Sequence, residues 1–248
     1  DTHSDVLAAP ANQVNRYMML KFIDVSTHKF GHRADGQPPR LLIIHSTDMP
    51  TDTSLEMLTR NPREVSVHYM ICPKGMVYRM VGEDKRAWHA GKSYWRGASD
   101  INSASIGIEL VWPADREASE DEIPGPFPQP QMDALLELAQ GICTRWNIKP
   151  EDVLAHSDIA PGRKRDPGPR FDWKQLAAAG LAWLPARPYP MPPTGDITLL
   201  LARYGYDVKD EEAALRAFQM HFRPAMVNGI ADSETRSLIQ ALLLKTGR

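Results

Sequence analysis

The chain lacks several features that mark whole classes of protein. It has only 2 cysteines in 248 residues, Cys72 and Cys143, too few for a disulfide framework. Its apolar runs, such as Leu41 to Ile44, fall far short of the ~20 residues that a membrane helix needs. Its formal net charge of −2 gives no reason to expect nucleic acid or an acidic membrane surface as a partner. We therefore expect a globular protein with buried cysteines, no transmembrane segment and no nucleic-acid partner.

A proline-rich segment divides the chain into two units. Residues 1–15 are polar, with Ala and Pro, and are typical of a tail or linker. Residues 16–184 alternate strand and helix patterns, which predicts an α/β or α+β domain with a central mixed β-sheet flanked by helices. Residues 185–194 contain five prolines and favour a stiff linker. Residues 195–248 contain three helical patterns and predict a small three-helix bundle.

Hydrophobic periodicity and turn residues set the expected elements. The Trp112 to Pro130 loop is too long for a simple connection and is a candidate lid. We predict strands over Arg40 to Thr47, Ser66 to Cys72, Met76 to Val81, Ser105 to Val111 and Val153 to His156, and helices over Thr53 to Arg60, Gln129 to Trp146, Asp172 to Ala179, Asp196 to Tyr204, Glu211 to Phe222 and Asp232 to Lys245.

The segment AHSDIAPGRKRDPGPRFDW, from Ala155 to Trp173, is polar and stiffened by proline, as loops that hold functional side chains often are. It contains His156 and Asp166, while His45 closes another predicted strand. Two histidines and a carboxylate suit Zn²⁺ and leave a fourth tetrahedral position for water. Ligands this far apart in sequence are a weak signal, so the spacing alone leaves the metal open.

Two further charged side chains are candidates for catalysis. Glu109 lies between apolar Ile108 and Leu110 in a predicted strand, so it faces the opposite side of the sheet. That side is either a solvated face or a cleft, in which the carboxylate would act as a base. Lys164 is either a surface lysine or a cation that stabilises negative charge on a substrate oxygen.

Five segments, taken together, resemble a known family. LLIIHST, SVHYMI, RAWHAG, NSASIGIEL and AHSDIAPGRKRDPGP occur in the order found in zinc-dependent N-acetylmuramoyl-L-alanine amidases of the AmpD/AmiD type. The resemblance covers roughly Arg40 to Leu184. It implies the mixed sheet with flanking helices that phage lysozyme-amidases and peptidoglycan recognition proteins share.

The resemblance also implies roles for individual residues. His45, His156 and Asp166 correspond to the ligands of one Zn²⁺ per chain. Glu109 corresponds to the acid/base residue, and Lys164 to the side chain that stabilises the transition state.

Four more residues are candidate substrate contacts. His89 of RAWHAG either contacts substrate or holds a tight turn before Gly91 by a hydrogen bond. Asn102 precedes the strand of Glu109. Trp88 and Trp95 either stack on sugar or belong to the core.

The C-terminal segment resembles a peptidoglycan-binding module of the three-helix type. LLLARYGYDV, LRAFQMHFRP and NGIADSETRSLIQAL carry this resemblance. The alternative is structural, because apolar residues such as Leu215, Phe218 and Leu238 would form a core whether or not the bundle binds anything.

The expected function is zinc-dependent hydrolysis of the amide bond between N-acetylmuramic acid and L-alanine in peptidoglycan or muropeptides. The alternatives are a non-catalytic peptidoglycan-binding protein on the same fold and a metallopeptidase that cuts within the stem peptide. Since peptidoglycan lies outside the cytoplasmic membrane, we expect a periplasmic protein. The start at Asp1 fits a removed export signal, and the polar tail fits a tether to a lipid anchor in the outer membrane. The oligomeric state stays open.

Overall fold

The computed structural model describes residues 20–112 and 126–248. The predicted tail over residues 1–15 and most of the Trp112 to Pro130 loop lie outside the described residues. Among the helices that are described, none combines the length and apolarity that a membrane span requires.

A six-stranded mixed sheet forms the centre of the larger unit. Its strand order is β1-β5-β4-β7-β3-β8, and all neighbours are parallel except the antiparallel pair β4 and β5. Strands β2 and β6 form a separate antiparallel pair. The strands are β1 (Phe22–Asp24), β2 (Phe30–His32), β3 (Leu41–Thr47), β4 (Tyr69–Ile71), β5 (Val77–Arg79), β6 (Lys85–Ala87), β7 (Ser105–Val111) and β8 (Val153–Ala155).

Helices cover the sheet and form the C-terminal bundle. Short 3-10 helices span Ala34–Gly36 and Pro150–Asp152. The α-helices are α1 (Thr51–Thr59), α2 (Ile101–Ala104), α3 (Gln129–Trp146), α4 (His156–Ile159), α5 (Trp173–Ala178), α6 (Ile197–Tyr204), α7 (Glu211–Phe222) and α8 (Ser233–Thr246).

The alternation of side chains along a strand assigns the two faces of the sheet. Leu42 and Ile44 of β3 pack in a core cluster with residues of α3 and α5. Leu41 and Ile43 face the other way, in a cluster with the C-terminal helices. His45 continues this second face, so the polar end of β3 lies on the side of the sheet that the C-terminal unit covers.

The C-terminal bundle shares a core cluster with the sheet domain. The cluster on the second face joins Leu154 and Ile159 to Leu201 and Phe218 of the bundle. Gly205 permits this contact, because a Cβ at its positive φ of 149° would lie 2.7 Å from the Arg96 side chain.

The predicted mixed sheet, flanking helices and three-helix bundle are confirmed. Helix α3 has the predicted bounds, and both cysteines are buried as expected. The pattern missed the short strands β1, β2 and β6 and the short helices α2 and α4, because elements of three or four residues show no clear period. His156 was predicted to end a strand but begins α4.

Candidate active site

Three neighbouring strands end at one edge of the sheet and present their polar side chains side by side. His45 of β3 is paired in register with Glu109 of β7. On the other side of β3, Ile44 pairs with Ala155, the last residue of β8, so His156 lies next to His45. Because the carboxyl ends of parallel strands meet at one edge, residues distant in sequence converge there.

Asp166 reaches the two imidazoles from the loop that follows α4. Its backbone carbonyl accepts a hydrogen bond of 3.1 Å from the Ser157 N–H. Its Oδ2 accepts a hydrogen bond of 3.4 Å from the Ser46 N–H, and the Asp166–Pro167 peptide bond is cis. These contacts hold the carboxylate between the end of β3 and the start of α4.

The three side chains bring potential ligand atoms to one point. His45 Nδ1 lies 2.9 Å from His156 Nδ1, and His156 Nδ1 lies 3.0 Å from Asp166 Oδ2. The distance from His45 Nδ1 to Asp166 Oδ2 is 3.5 Å. All the ligand atoms are within 4.8 Å of one another. The predicted set of two histidines and one carboxylate is therefore assembled by the fold.

Electrostatics favour the ionisation states that a metal ion requires. Burial, reinforced by the charge of His156, lowers the pKa of His45 to about 4, although Asp166 opposes the shift. Burial alone would raise the pKa of Asp166, but His156 and His45 outweigh it and hold that pKa well below its usual range. An ionised carboxylate then faces imidazole nitrogens, a donor set that suits Zn²⁺.

The Ala90 carbonyl lies behind the ring of His156, 3.2 Å from Nε2. When a metal ion takes the lone pair of Nδ1, the hydrogen of the neutral ring is on Nε2, and the carbonyl oxygen can accept it. This is the arrangement in which a partner behind a histidine orients it toward a metal ion.

Glu109 and Lys164 flank this set. Burial and the nearby charge of Asp166 raise the pKa of half-buried Glu109 to about 8, although Lys164 acts in the opposite direction. A carboxyl group with a pKa near neutrality exchanges protons readily, as a general base and acid must. Lys164 is exposed, on the same loop as Asp166.

Two predicted substrate contacts lie in different surroundings. Trp95 is 2% exposed and packs edge-on against the rings of Tyr204 and Tyr206, at centroid distances of 5.8 and 5.1 Å. It belongs to the core between the two units and is unavailable to stack on a sugar. Trp88 is half-buried, and its backbone N–H donates 2.9 Å to Ser66 Oγ; its predicted role stays a prediction.

The other two predicted contacts support the site from behind. Asn102 Oδ1 accepts hydrogen bonds from the backbone N–H groups of His89 and Ala90, at 3.0 and 2.8 Å. His89 is 8% exposed, and its Nδ1 lies 2.9 Å from His45 Nε2. Buried and bonded in this way, neither side chain is presented to a substrate, so the geometry favours a structural role for both.

The sequence patterns missed a buried polar cluster at the base of α4. Asp158 Oδ1 accepts a hydrogen bond of 2.6 Å from the Tyr206 hydroxyl. Its Oδ2 accepts two more hydrogen bonds, one of 2.8 Å from the Ala155 N–H and one of 2.7 Å from His221 Nδ1. Asp158 is two residues from His156, so this cluster ties the C-terminal unit to the turn that carries a predicted ligand. The sequence offers only a weak signal of it, an acidic residue directly before the apolar pair Ile159 and Ala160.

Comparison with known proteins agrees with this geometry. The profile of a family described as N-acetylmuramoyl-L-alanine amidase matches residues 35–169. The chain is 42% identical over 233 residues to the N-acetylmuramoyl-L-alanine amidase AmiD of Escherichia coli strain K12, and the match covers 84% of each protein.

Two solved structures share the fold over nearly the whole chain. One is a complex of E. coli AmiD with the substrate anhydro-N-acetylmuramic acid-L-Ala-D-gamma-Glu-L-Lys, with a TM-score of 0.76 over 87% of this chain and 93% of that chain, at 42% identity. The other is AmpDh3 from Pseudomonas aeruginosa, with a TM-score of 0.77 over 97% of this chain and 100% of that chain, at 31% identity.

Proposed function

Because the chain belongs to the N-acetylmuramoyl-L-alanine amidase family, we propose that it hydrolyses the amide bond between N-acetylmuramic acid and L-alanine with one Zn²⁺ per chain. The ion would be held by His45, His156 and Asp166. The observation that carries this proposal is that the ligand atoms of these three side chains lie within 4.8 Å of one another, while His45 is paired in register with Glu109.

The proposed substrate is peptidoglycan or a muropeptide. Support comes from E. coli AmiD and from P. aeruginosa AmpDh3, whose structures are complexes with anhydro-muramic peptides. This chain covers 93% and 99% of those two chains, so nearly the whole of each has a counterpart here.

The chemistry divides between the metal ion and the protein. When bound, Zn²⁺ supplies Lewis-acid polarisation and lowers the pKa of a bound water toward ~7. Glu109 would take a proton from the attacking water and return it to the leaving amine of L-alanine. Lys164 extends its ammonium group to the carbonyl oxygen, on which negative charge develops, and stabilises the tetrahedral state.

Product analysis tests the function directly. Purified sacculi and a synthetic anhydro-muropeptide are incubated with the protein, with and without a zinc chelator, and the products are identified by mass spectrometry. We expect free stem peptides that begin with L-alanine, and their loss on chelation and recovery on zinc addition. Cleavage between two amino acids of the stem would instead indicate a metallopeptidase. Binding to sacculi without any product would indicate a binding protein.

We also propose that the protein acts in the periplasm. Its proposed substrate, peptidoglycan, lies outside the cytoplasmic membrane, and the C-terminal unit resembles wall-binding modules. Fractionation of cells that express the full-length protein should recover it with periplasmic or outer-membrane markers. Recovery with cytoplasmic markers would contradict this location.

A further inference from the structure

A chain of hydrogen bonds leads from the proposed metal site into the protein interior. His45 Nε2 lies 2.9 Å from His89 Nδ1, and His89 Nε2 lies 3.2 Å from Ser105 Oγ. Ser105 Oγ in turn donates 2.6 Å to the Ile101 carbonyl oxygen. The three side chains are buried, with exposures of 2%, 8% and 0% for His45, His89 and Ser105.

The last acceptor in this chain of hydrogen bonds sets the direction of every bond in it. The Ile101 carbonyl only accepts, so it takes the single hydroxyl hydrogen of Ser105. Ser105 Oγ must then accept from His89 Nε2–H. In a neutral His89, which burial favours, the lone pair is on Nδ1 and accepts from His45 Nε2–H. His45 Nδ1 is thereby left without a hydrogen, facing His156 and Asp166.

The strand β7 is shaped to hold His89 in this position. Ser105, Gly107 and Glu109 share one face of β7, because side chains alternate along a strand. A Cβ at Gly107 would lie 2.7 Å from ring atoms of His89. Glycine is therefore required beneath this ring, while Asn102 fixes the backbone of His89 from the other side.

We propose that His89 is a positioning residue, which with Ser105 holds His45 in the one tautomer that presents Nδ1 to the metal ion. This inference rests on the proposed zinc site, and it assigns His89 to that site rather than to substrate. Partners of this kind typically change metal affinity by about 10–100-fold when removed.

The test compares two substitutions at His89. His89→Leu removes the acceptor, while His89→Asn retains an oxygen one bond from Cγ, where Nδ1 stands in histidine. Zinc affinity is measured on metal-depleted protein by competition with a chelator. We expect His89→Leu to weaken zinc binding by about 10–100-fold, and His89→Asn to restore most of the loss. In the metal-free protein, ¹⁵N NMR should show His45 with hydrogen on Nε2, and a mixture of tautomers in His89→Leu.

A matched control is His68→Leu. His68 is a second fully buried histidine, whose ring is hydrogen-bonded to the Gly107 N–H, the Lys85 carbonyl and the Arg33 guanidinium but not to His45. Its ring also packs edge-on against His89, with the centroids 5.6 Å apart, so His68→Leu removes a buried neighbour of His89 without removing the hydrogen bond to His45. We expect this variant to lose stability but to keep the tautomer of His45 and most of its zinc affinity. If His89→Leu fails to fold, Ser105→Ala tests the same chain of hydrogen bonds. It removes the acceptor of His89 Nε2 and should also give a mixture of His45 tautomers.

The outcomes separate this inference from the proposed function. If the wild-type protein binds no zinc, the metal proposal fails with it. If the wild type binds zinc and His89→Leu binds it equally well, or His89→Asn is as weak as His89→Leu, only the positioning role is overturned. A rise in KM at unchanged zinc affinity would return His89 to substrate binding.

Discussion

Replacing Glu109 by glutamine should lower kcat on a muropeptide by about 10²–10⁴-fold and leave zinc binding unchanged. Glutamine preserves the size of the side chain but cannot take or return a proton. Glu109 is not one of the three proposed ligands, and its backbone remains paired with β3 and β4. The measurement is kcat together with the zinc content of the purified variant.

A second substitution at the same cleft separates proton transfer from charge stabilisation. Lys164→Ala should cost about 10²–10³-fold in kcat, the typical effect of losing one oxyanion partner.

The matched surface control for Glu109→Gln is Glu56→Gln, on the exposed side of α1, which should retain full activity. A folded, zinc-loaded Glu109→Gln that turns over at the wild-type rate would exclude Glu109 as the acid/base.

Local patterns predicted the orientation of Glu109 but not its neighbours. The alternation in SIGIELV places Ser105, Gly107 and Glu109 on one face and the isoleucines on the other, and the structure has this arrangement. Which strand lies beside β7 depends on pairing across more than 60 residues, and nothing in a local period specifies that. The motif resemblance, not the period, connects Glu109 to His45.

Residues whose role depends on long-range packing were the hardest to predict. Trp95 and His89 are both predicted substrate contacts, yet both are buried. Trp95 is buried because the C-terminal unit packs on it, and His89 is buried because Gly107 leaves room for its ring. Neither neighbour is adjacent in sequence, so composition and spacing could not distinguish a surface tryptophan from a core one.

The proline-rich linker illustrates the same limit at the level of domains. Its composition predicts a boundary between two units, but it carries no information about their contact. The contact is set by apolar residues on α6 and α7 and by one buried carboxylate, Asp158, to which Tyr206 and His221 donate. In this protein the C-terminal unit is therefore part of the framework that holds the turn of His156.

Replacing Asp158 by alanine should lower the free energy of unfolding by about 3–5 kcal/mol. The change leaves three buried donors without their acceptor: the Ala155 N–H, the Tyr206 hydroxyl and His221 Nδ1. Each unsatisfied donor costs about 1–3 kcal/mol, and the truncation also opens a small cavity. Because the Ala155 N–H precedes the ligand His156, zinc affinity should fall as well.

Urea unfolding, followed by tryptophan fluorescence and by circular dichroism, measures this effect. Because the two units share a core, we expect one cooperative transition in the wild type and a lower midpoint in Asp158→Ala. Asp133→Ala, at an exposed position of α3, is the control and should change stability by no more than about 0.5 kcal/mol. Two separate transitions in the wild type, or an unchanged midpoint in Asp158→Ala, would mean that the C-terminal unit is only loosely attached and does not support the site.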